Sequence, residues 1–247
     1  MLAWINFLTR LLNHWFAAPV DALLGKLGIH AANPGHPIGN TLTLELIVLT
    51  GLVLFFIAVR LRLSVEKPSN TQHLAEIVHE FVDGQAEQVM GHGHERYLPV
   101  LTCLLLFILL CNLVGLLPGV DTPTSNPSVP LALAVFAFVY YNWNGIRAQG
   151  PIRYLKHFMG PVWWLAWLMF PIEIISHLAR MMSLTIRLYA NMFASDLITL
   201  IFFSGLPLAI PIVGLGLHTF VALIQAYIFM LLTTIYLAEA TAHAEQH

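Results

Sequence analysis

The stretch "SLTIRLYANMF", residues 183–193, sets a permanent cation, Arg187, among apolar side chains. On a helical wheel of about 100° per residue, Glu173, Ser176, Arg180, Ser183 and Asn191 fall within about 40° of Arg187. They make one narrow polar stripe along an otherwise apolar segment. Asp196 points about 180° away from that stripe. A second stripe runs through "HTFVALIQAYIFMLLTTIYLAEA", where His218, Gln225, Tyr236 and Glu239 share a face within about 40° of Gln225. Polar groups in membrane bundles also snorkel or hydrogen-bond helices together, and Ser183 or Tyr236 taken singly fits that role. The ionisable set fits it poorly. An Arg at mid-membrane costs about 2.5–3.5 kcal/mol even on the lenient insertion scale, and ionisable residues at that depth mark ion paths and proton relays. The chemistry to expect is the passage of protons or ions.

The composition supplies the membrane that this chemistry presumes. Of 247 residues 58% are hydrophobic and only 10% charged, and the mean hydropathy is +0.76, whereas about a quarter of residues are charged in soluble domains. A net charge of −2 and the lack of any basic patch argue against a nucleic-acid partner. Cys103 and Cys111 lie in one apolar run, roughly 12 Å apart along a helix, too far to bridge.

The fold class is therefore an all-α integral membrane protein of about five membrane-inserted helices, with amphipathic interfacial helices, in a single membrane domain over 1–247. Within residues 1–20, Trp4, Phe7, Leu8, Leu11, Leu12, Trp15 and Phe16 recur at helical spacing, with Asn6, Thr9, Arg10, Asn13 and His14 between them. That is an amphipathic helix lying in the interface plane; a signal peptide would show an unbroken apolar core. Residues 41–59 form span one, with Glu45 near one end. In the polar segment that follows, Leu74, Ile77, Val78, Phe81 and Val82 mark one face of a surface helix over 70–90. Residues 98–118 and 129–146 make spans two and three, joined by the turn-rich "PGVDTPTSNPSVP", which carries no Lys or Arg.

The region 160–203 would make a helix of roughly 66 Å, twice the core of about 30 Å, so it is either two spans or one strongly tilted helix. A turn at "SGLPLAIP" leads to the final span, 212–240. Arg60, Arg62, Lys67 and Arg96 fall in one loop and Arg147, Arg153 and Lys156 in another, against Arg10 and Lys26 in the N-terminal segment. By the positive-inside rule both basic loops are cytoplasmic and the N-terminus is outside. Two spans in 160–203 would put Arg180 and Arg187 in an external loop, which the same rule disfavours. One tilted unit is preferred, paired with the last span in a channel hairpin over 160–240, and it leaves the C-terminus cytoplasmic.

"SLTIRLYANMFASDLITLIFF", with "PIEIISHLARMM" before it, "HTFVALIQAYIFMLLTTIYLAEA" after it and "PVLTCLLLFILLCNLVGLLPG" in span two, resembles the subunit a family of the F-type ATP synthases. The resemblance implies a non-catalytic subunit of the bacterial inner membrane that passes H⁺, or Na⁺, through two offset half-channels against a rotating ring of c subunits. The coupled process is ATP synthesis or hydrolysis. Its implied partners are that ring, the b-subunit peripheral stalk and membrane lipid, and it implies no cofactor and no metal. Arg187 matches the family's essential charge, facing the ring carboxylate. Asn191, Asp196, His218 and Gln225 match the outer half-channel, and Glu173 and Ser176 the cytoplasmic one. Asn112 matches a family asparagine in span two, while Gly115 stands where some bacterial members carry Asp. Tyr236 and Glu239 are further candidates from the second stripe.

The physics agrees with the resemblance. A ring carboxylate crosses lipid neutral because a bare charge there is too costly, and a nearby cation favours release of its proton. A guanidinium that never deprotonates also bars direct hopping between half-channels, which a Lys, able to lose its proton when buried, does less well. Each charge crossing is worth about 2.3 kcal/mol per 100 mV. Two rival readings are weaker. "GHGHERY" with His73 and His79 suggests a metal site, but lacks the paired-His helical spacing of a zinc hydrolase. A secondary ion-coupled transporter predicts inverted repeats, and the Arg187 stripe has no second copy.

Overall fold

The computed structural model describes residues 3–26, 38–64, 69–117, 120–151, 154, 166–205 and 209–241. Lys67, Arg153 and Lys156 of the basic loops, the first residues of the 160–203 region and the C-terminal His247 lie outside the described residues. The described residues form seven α-helices and no strand: α1 (Ala3–Lys26), α2 (Asn40–Leu61), α3 (Asn70–Met90), α4 (Leu98–Val114), α5 (Ser128–Gln149), α6 (Ala166–Gly205) and α7 (Ala209–Thr241). Short 3-10 turns, His94–Tyr97 and Pro123–Ser125, precede α4 and α5. Five helices, α2, α4, α5, α6 and α7, are long and apolar enough to cross a membrane.

Of the two arrangements open for 160–203, the described part is one continuous helix. α6 runs for 40 residues, about 60 Å at 1.5 Å per residue. α4 stops short of residue 118, because after Val114 the chain tightens into i→i−3 bonds from Gly115 to Asn112 and from Leu116 to Leu113.

The core sits where α4 and α7 cross α5 and α6. Ala134, Ala137, Ala222 and Ala226, all buried, bring the helix backbones close, as small residues do in lipid. Gly145 is required by such an approach: a Cβ there would stand 2.7 Å from the Tyr154 ring and 3.1 Å from Ala240. Along α6 a seam of Leu184, Leu188, Met192 and Ser195 is buried, but only 22% of its most apolar window is covered, against 44% for α7. α6 is thus packed on one side and bare on the other.

Two helical faces differ from their reading in the sequence. In α1 polar residues share the packed face with Ile5, while Arg10 and His14 are exposed: Asn13 donates to the Ile38 carbonyl at 2.9 Å and accepts from the Ile38 N–H at 3.0 Å, and Thr9 donates to Asn40 at 2.9 Å. Phe7, Leu11, Trp15 and Phe16 are exposed. Where lipid is the solvent, apolar side chains need no cover and polar ones seek protein partners. In α3 the single predicted face divides. Val82 and Ala86 are buried with Val78 beside them, while Leu74, Ile77 and Phe81 point outward. His94 of "GHGHERY" is tied to Asp83 at 2.8 Å and to the Gly91 carbonyl at 2.7 Å, bracing the turn between α3 and α4.

Candidate functional site

Three polar clusters lie along the α6–α7 pair. The first gathers around His218 on α7, which is 1% exposed. Its Nε2 lies 3.0 Å from the Asn112 carbonyl. A carbonyl can only accept, so Nε2 carries a proton. Its Nδ1 faces Ser195 Oγ at 3.1 Å and Asp196 Oδ1 at 3.5 Å. Nδ1 can then accept from the Ser195 hydroxyl, with the Asp196 carboxyl beside it. Thr122 fixes the carboxylate from the other side, its hydroxyl donating to the same Oδ1 at 2.7 Å.

Asn112 is the bracket of this cluster. Fully buried, it accepts from Thr124 at 2.6 Å and donates to the Ala222 carbonyl at 3.3 Å. Its side chain is occupied in joining α4, the Pro123–Ser125 turn and α7, and only its backbone oxygen reaches His218. Gly115, one turn further on, has no room for anything larger: a Cβ would sit 1.8 Å from Thr122 Oγ1 and 3.1 Å from His218 Cε1.

The second cluster is at the other end of α6. Arg180 grips Glu239 of α7 with both guanidinium nitrogens, at 2.5 and 3.0 Å, the fork geometry that favours arginine, and lies 5.1 Å over the Tyr236 ring. Glu173 Oε1 is 3.4 Å from His177 Nε2, and Tyr141 of α5 meets His177 Nδ1 at 2.7 Å. Tyr154, Glu173, His177, Arg180, Tyr236, Glu239 and Ala240 line one cleft.

Between the clusters lies Arg187. It is partly exposed, and its guanidinium reaches Ser183 at 3.4 Å. Among the described residues it makes no ion pair. Asn191, one turn on, donates to the buried Gln225 at 2.7 Å, the polar bond across the middle of the α6–α7 pair. The stripe read from the sequence therefore splits by partner: Arg180 and Asn191 face α7, Ser183 is exposed, and Ser176 is half-buried.

Thr122, Thr124, Ser195, Tyr141 and His177 belong to these clusters and were not among the candidates. Two signals pointed to some of them. The connector holding Thr122 and Thr124 carries no Lys or Arg, and His177 is four residues from Glu173, the spacing of helical neighbours.

A family model described as "ATP synthase A chain" matches residues 42–238. The chain is 53% identical over 235 residues to the ATP synthase subunit a of Koribacter versatilis (strain Ellin345), covering 95% of this chain and 96% of that one. It is 46% identical over 231 residues to the ATP synthase subunit a of Solibacter usitatus (strain Ellin6076), with 94% and 98% covered. With that of Sulfurimonas denitrificans (strain ATCC 33889 / DSM 1251) it shares 39% over 204 residues, 82% of this chain and 91% of the other.

Proposed function

The chain belongs to the ATP synthase A chain family, and from that premise we propose how its residues divide the work. It is a multi-pass, non-catalytic, proton-conducting subunit of the membrane sector. Arg187 is the charge that a carboxylate of the c-subunit ring meets as it leaves one half-channel for the other. The observation carrying this reading is the contrast between two arginines on one helix. Arg180 has its carboxylate in Glu239, whereas Arg187, on the sparsely covered helix, has only a serine hydroxyl. An unpaired cation in an apolar setting is costly, and a carboxylate supplied by another chain removes that cost.

Asn191, Asp196, His218 and Gln225 form the outer path, and Glu173 and Ser176 the cytoplasmic one. Tyr236 and Glu239 hold the wall of the latter through Arg180, and Asn112 holds the former through His218. The bare side of α6 takes the ring, and the b-subunit peripheral stalk anchors the chain elsewhere.

A cross-link tests the ring assignment. With exposed Cys103 replaced by Ser, Ser183→Cys is expected to form a disulfide with a cysteine on the outer helix of the ring subunit and to stop ATP-driven rotation. Leu184→Cys, at 3% exposure, gives none. Cross-linking from the buried position and not from 183 would reject the docking face.

Orientation follows from the basic loops and the single long helix: N-terminus outside, odd number of crossings, C-terminus in the cytoplasm. A tag after His247 is expected to react with an impermeant reagent only in inverted vesicles. Labelling in right-side-out cells alone reverses the assignment.

A further inference from the structure

Glu173 is not alone in its cleft. His177 Nε2 stands 3.4 Å from its carboxylate, and the other ring nitrogen is held at 2.7 Å by the Tyr141 hydroxyl. We propose that His177 is a proton-bearing residue of the cytoplasmic half-channel, taking the proton from Glu173 and passing it to water in the cleft. The proposal rests on the reading of Glu173 given above and adds a residue to it.

The chemistry follows from the two nitrogens. With Tyr141 accepting from Nδ1–H, Nε2 is the nitrogen that exchanges. A protonated Glu173 donates its O–H to Nε2; the O–H bond breaks as the N–H bond forms, leaving a carboxylate beside an imidazolium. Loss of the Nε2 proton to water restores the neutral ring. Before and just after the transfer a donor faces an acceptor on both sides of the imidazole; once Nε2 has released its proton, it and the Glu173 carboxylate are both acceptors, and water in the cleft supplies the donor between them. A tyrosine that fixes the far nitrogen prevents the ring from flipping and losing its proton into the bundle.

The surroundings suit the role. His177 is 12% exposed and Glu173 33% exposed, and both line the same cleft, so the more buried imidazole still meets the space that water can enter. The groups facing His177 are Glu173 and Arg180 on its own helix, Tyr141 on α5, Tyr236 and Glu239 on α7, and Tyr154 beyond α5. Arg180 and Glu239 neutralise each other as a bidentate pair. A tyrosine's ordinary titration lies well above neutrality. This leaves the imidazole as the one group in the set whose ordinary titration falls between about pH 5 and pH 8. Phe138, with its ring centroid 6.4 Å away, closes the apolar side.

The test is passive proton flux through the whole complex in phospholipid vesicles, with the catalytic head stripped off, measured from about pH 5 to pH 8, where an imidazole changes charge. The wild type is expected to show a titration step in that range. His177→Gln removes the step and lowers flux by about tenfold, below the hundredfold typical of a lone acid–base group, because Glu173 still exchanges with water directly. Tyr141→Phe keeps the imidazole but frees Nδ1, and is expected to shift the step without abolishing flux. A His177→Gln profile that matches the wild type overturns the proposal. If His177→Gln does not assemble, Tyr141→Phe decides it, an unshifted step counting against. Glu173→Gln, assayed alongside for the same flux, reports on the Glu173 reading independently: slowed flux there with a wild-type profile in His177→Gln leaves that reading standing and overturns the proposal alone.

Discussion

Arg187→Ala is expected to abolish both gradient-driven ATP synthesis and ATP-driven pumping, while the complex still assembles. Both activities should fall to the floor of the assay. Without the guanidinium nothing draws the proton off the ring carboxylate at the crossing point, and nothing bars it from slipping between the half-channels. Assembly survives because the seam that holds α6 to the bundle, Leu184, Leu188, Met192 and Ser195, is a separate set of side chains. Arg187→Lys should restore little, its single ammonium being able to give up its proton. Synthesis and pumping are measured in inverted vesicles, with complex content quantified by the co-purified head. Coupled pumping at the normal rate in Arg187→Ala would sink the assignment.

Asp196→Ala and His218→Ala should each slow passive flux through head-stripped complexes by about a hundredfold, the lower range for a positioned proton-transfer group. The two side chains stand 3.5 Å apart, close enough to hand a proton on, so either deletion should break that step. His218→Ala also empties a fully buried site and removes one of the two donors to the Asn112 carbonyl, so it should be less thermally stable as well. Exchanging the two residues should recover part of the flux, and most at acid pH, because a carboxyl at 218 must carry a proton to donate to that carbonyl. Glu173 lies roughly 35 Å along α6 from Asp196. Its effect should add to theirs in log flux while neither path alone is limiting. Wild-type conduction in both single variants would leave the pair a structural contact only.

The long helices, their number and the stripe around Arg187 were legible because lipid leaves a strong signal: twenty apolar residues for a span, and ionisable groups that cannot be there by accident. The facing of α1 and α3 was not. Amphipathicity says that two sides differ, but whether Asn13 or Phe7 faces the protein depends on whether water or lipid lies outside. The Asp196–His218 approach was anticipated from a half-turn offset, yet its depth depends on hydroxyls that no wheel singles out. Thr122 and Thr124 come from a turn between helices, and Ser195 sits one step from Asp196. His177 lies about 80° off the stripe and draws its partner from α5, a helix whose register against α6 no local pattern records.

The bare glycine at 115 ties two positions together in their history as well as in space. Any side chain acquired there meets the Thr122 hydroxyl at 1.8 Å, so such a change is admissible only after residue 122 has become smaller or moved. Reducing Thr122 first gives up its bond to Asp196, so that order crosses a stage in which the carboxylate has lost a restraint and gained nothing. The admissible order thus passes through a stage without the Thr122–Asp196 bond. Gly115 and Thr122 are therefore free to drift only as a couple, and a lineage that begins with this pair is expected to keep both or to replace both.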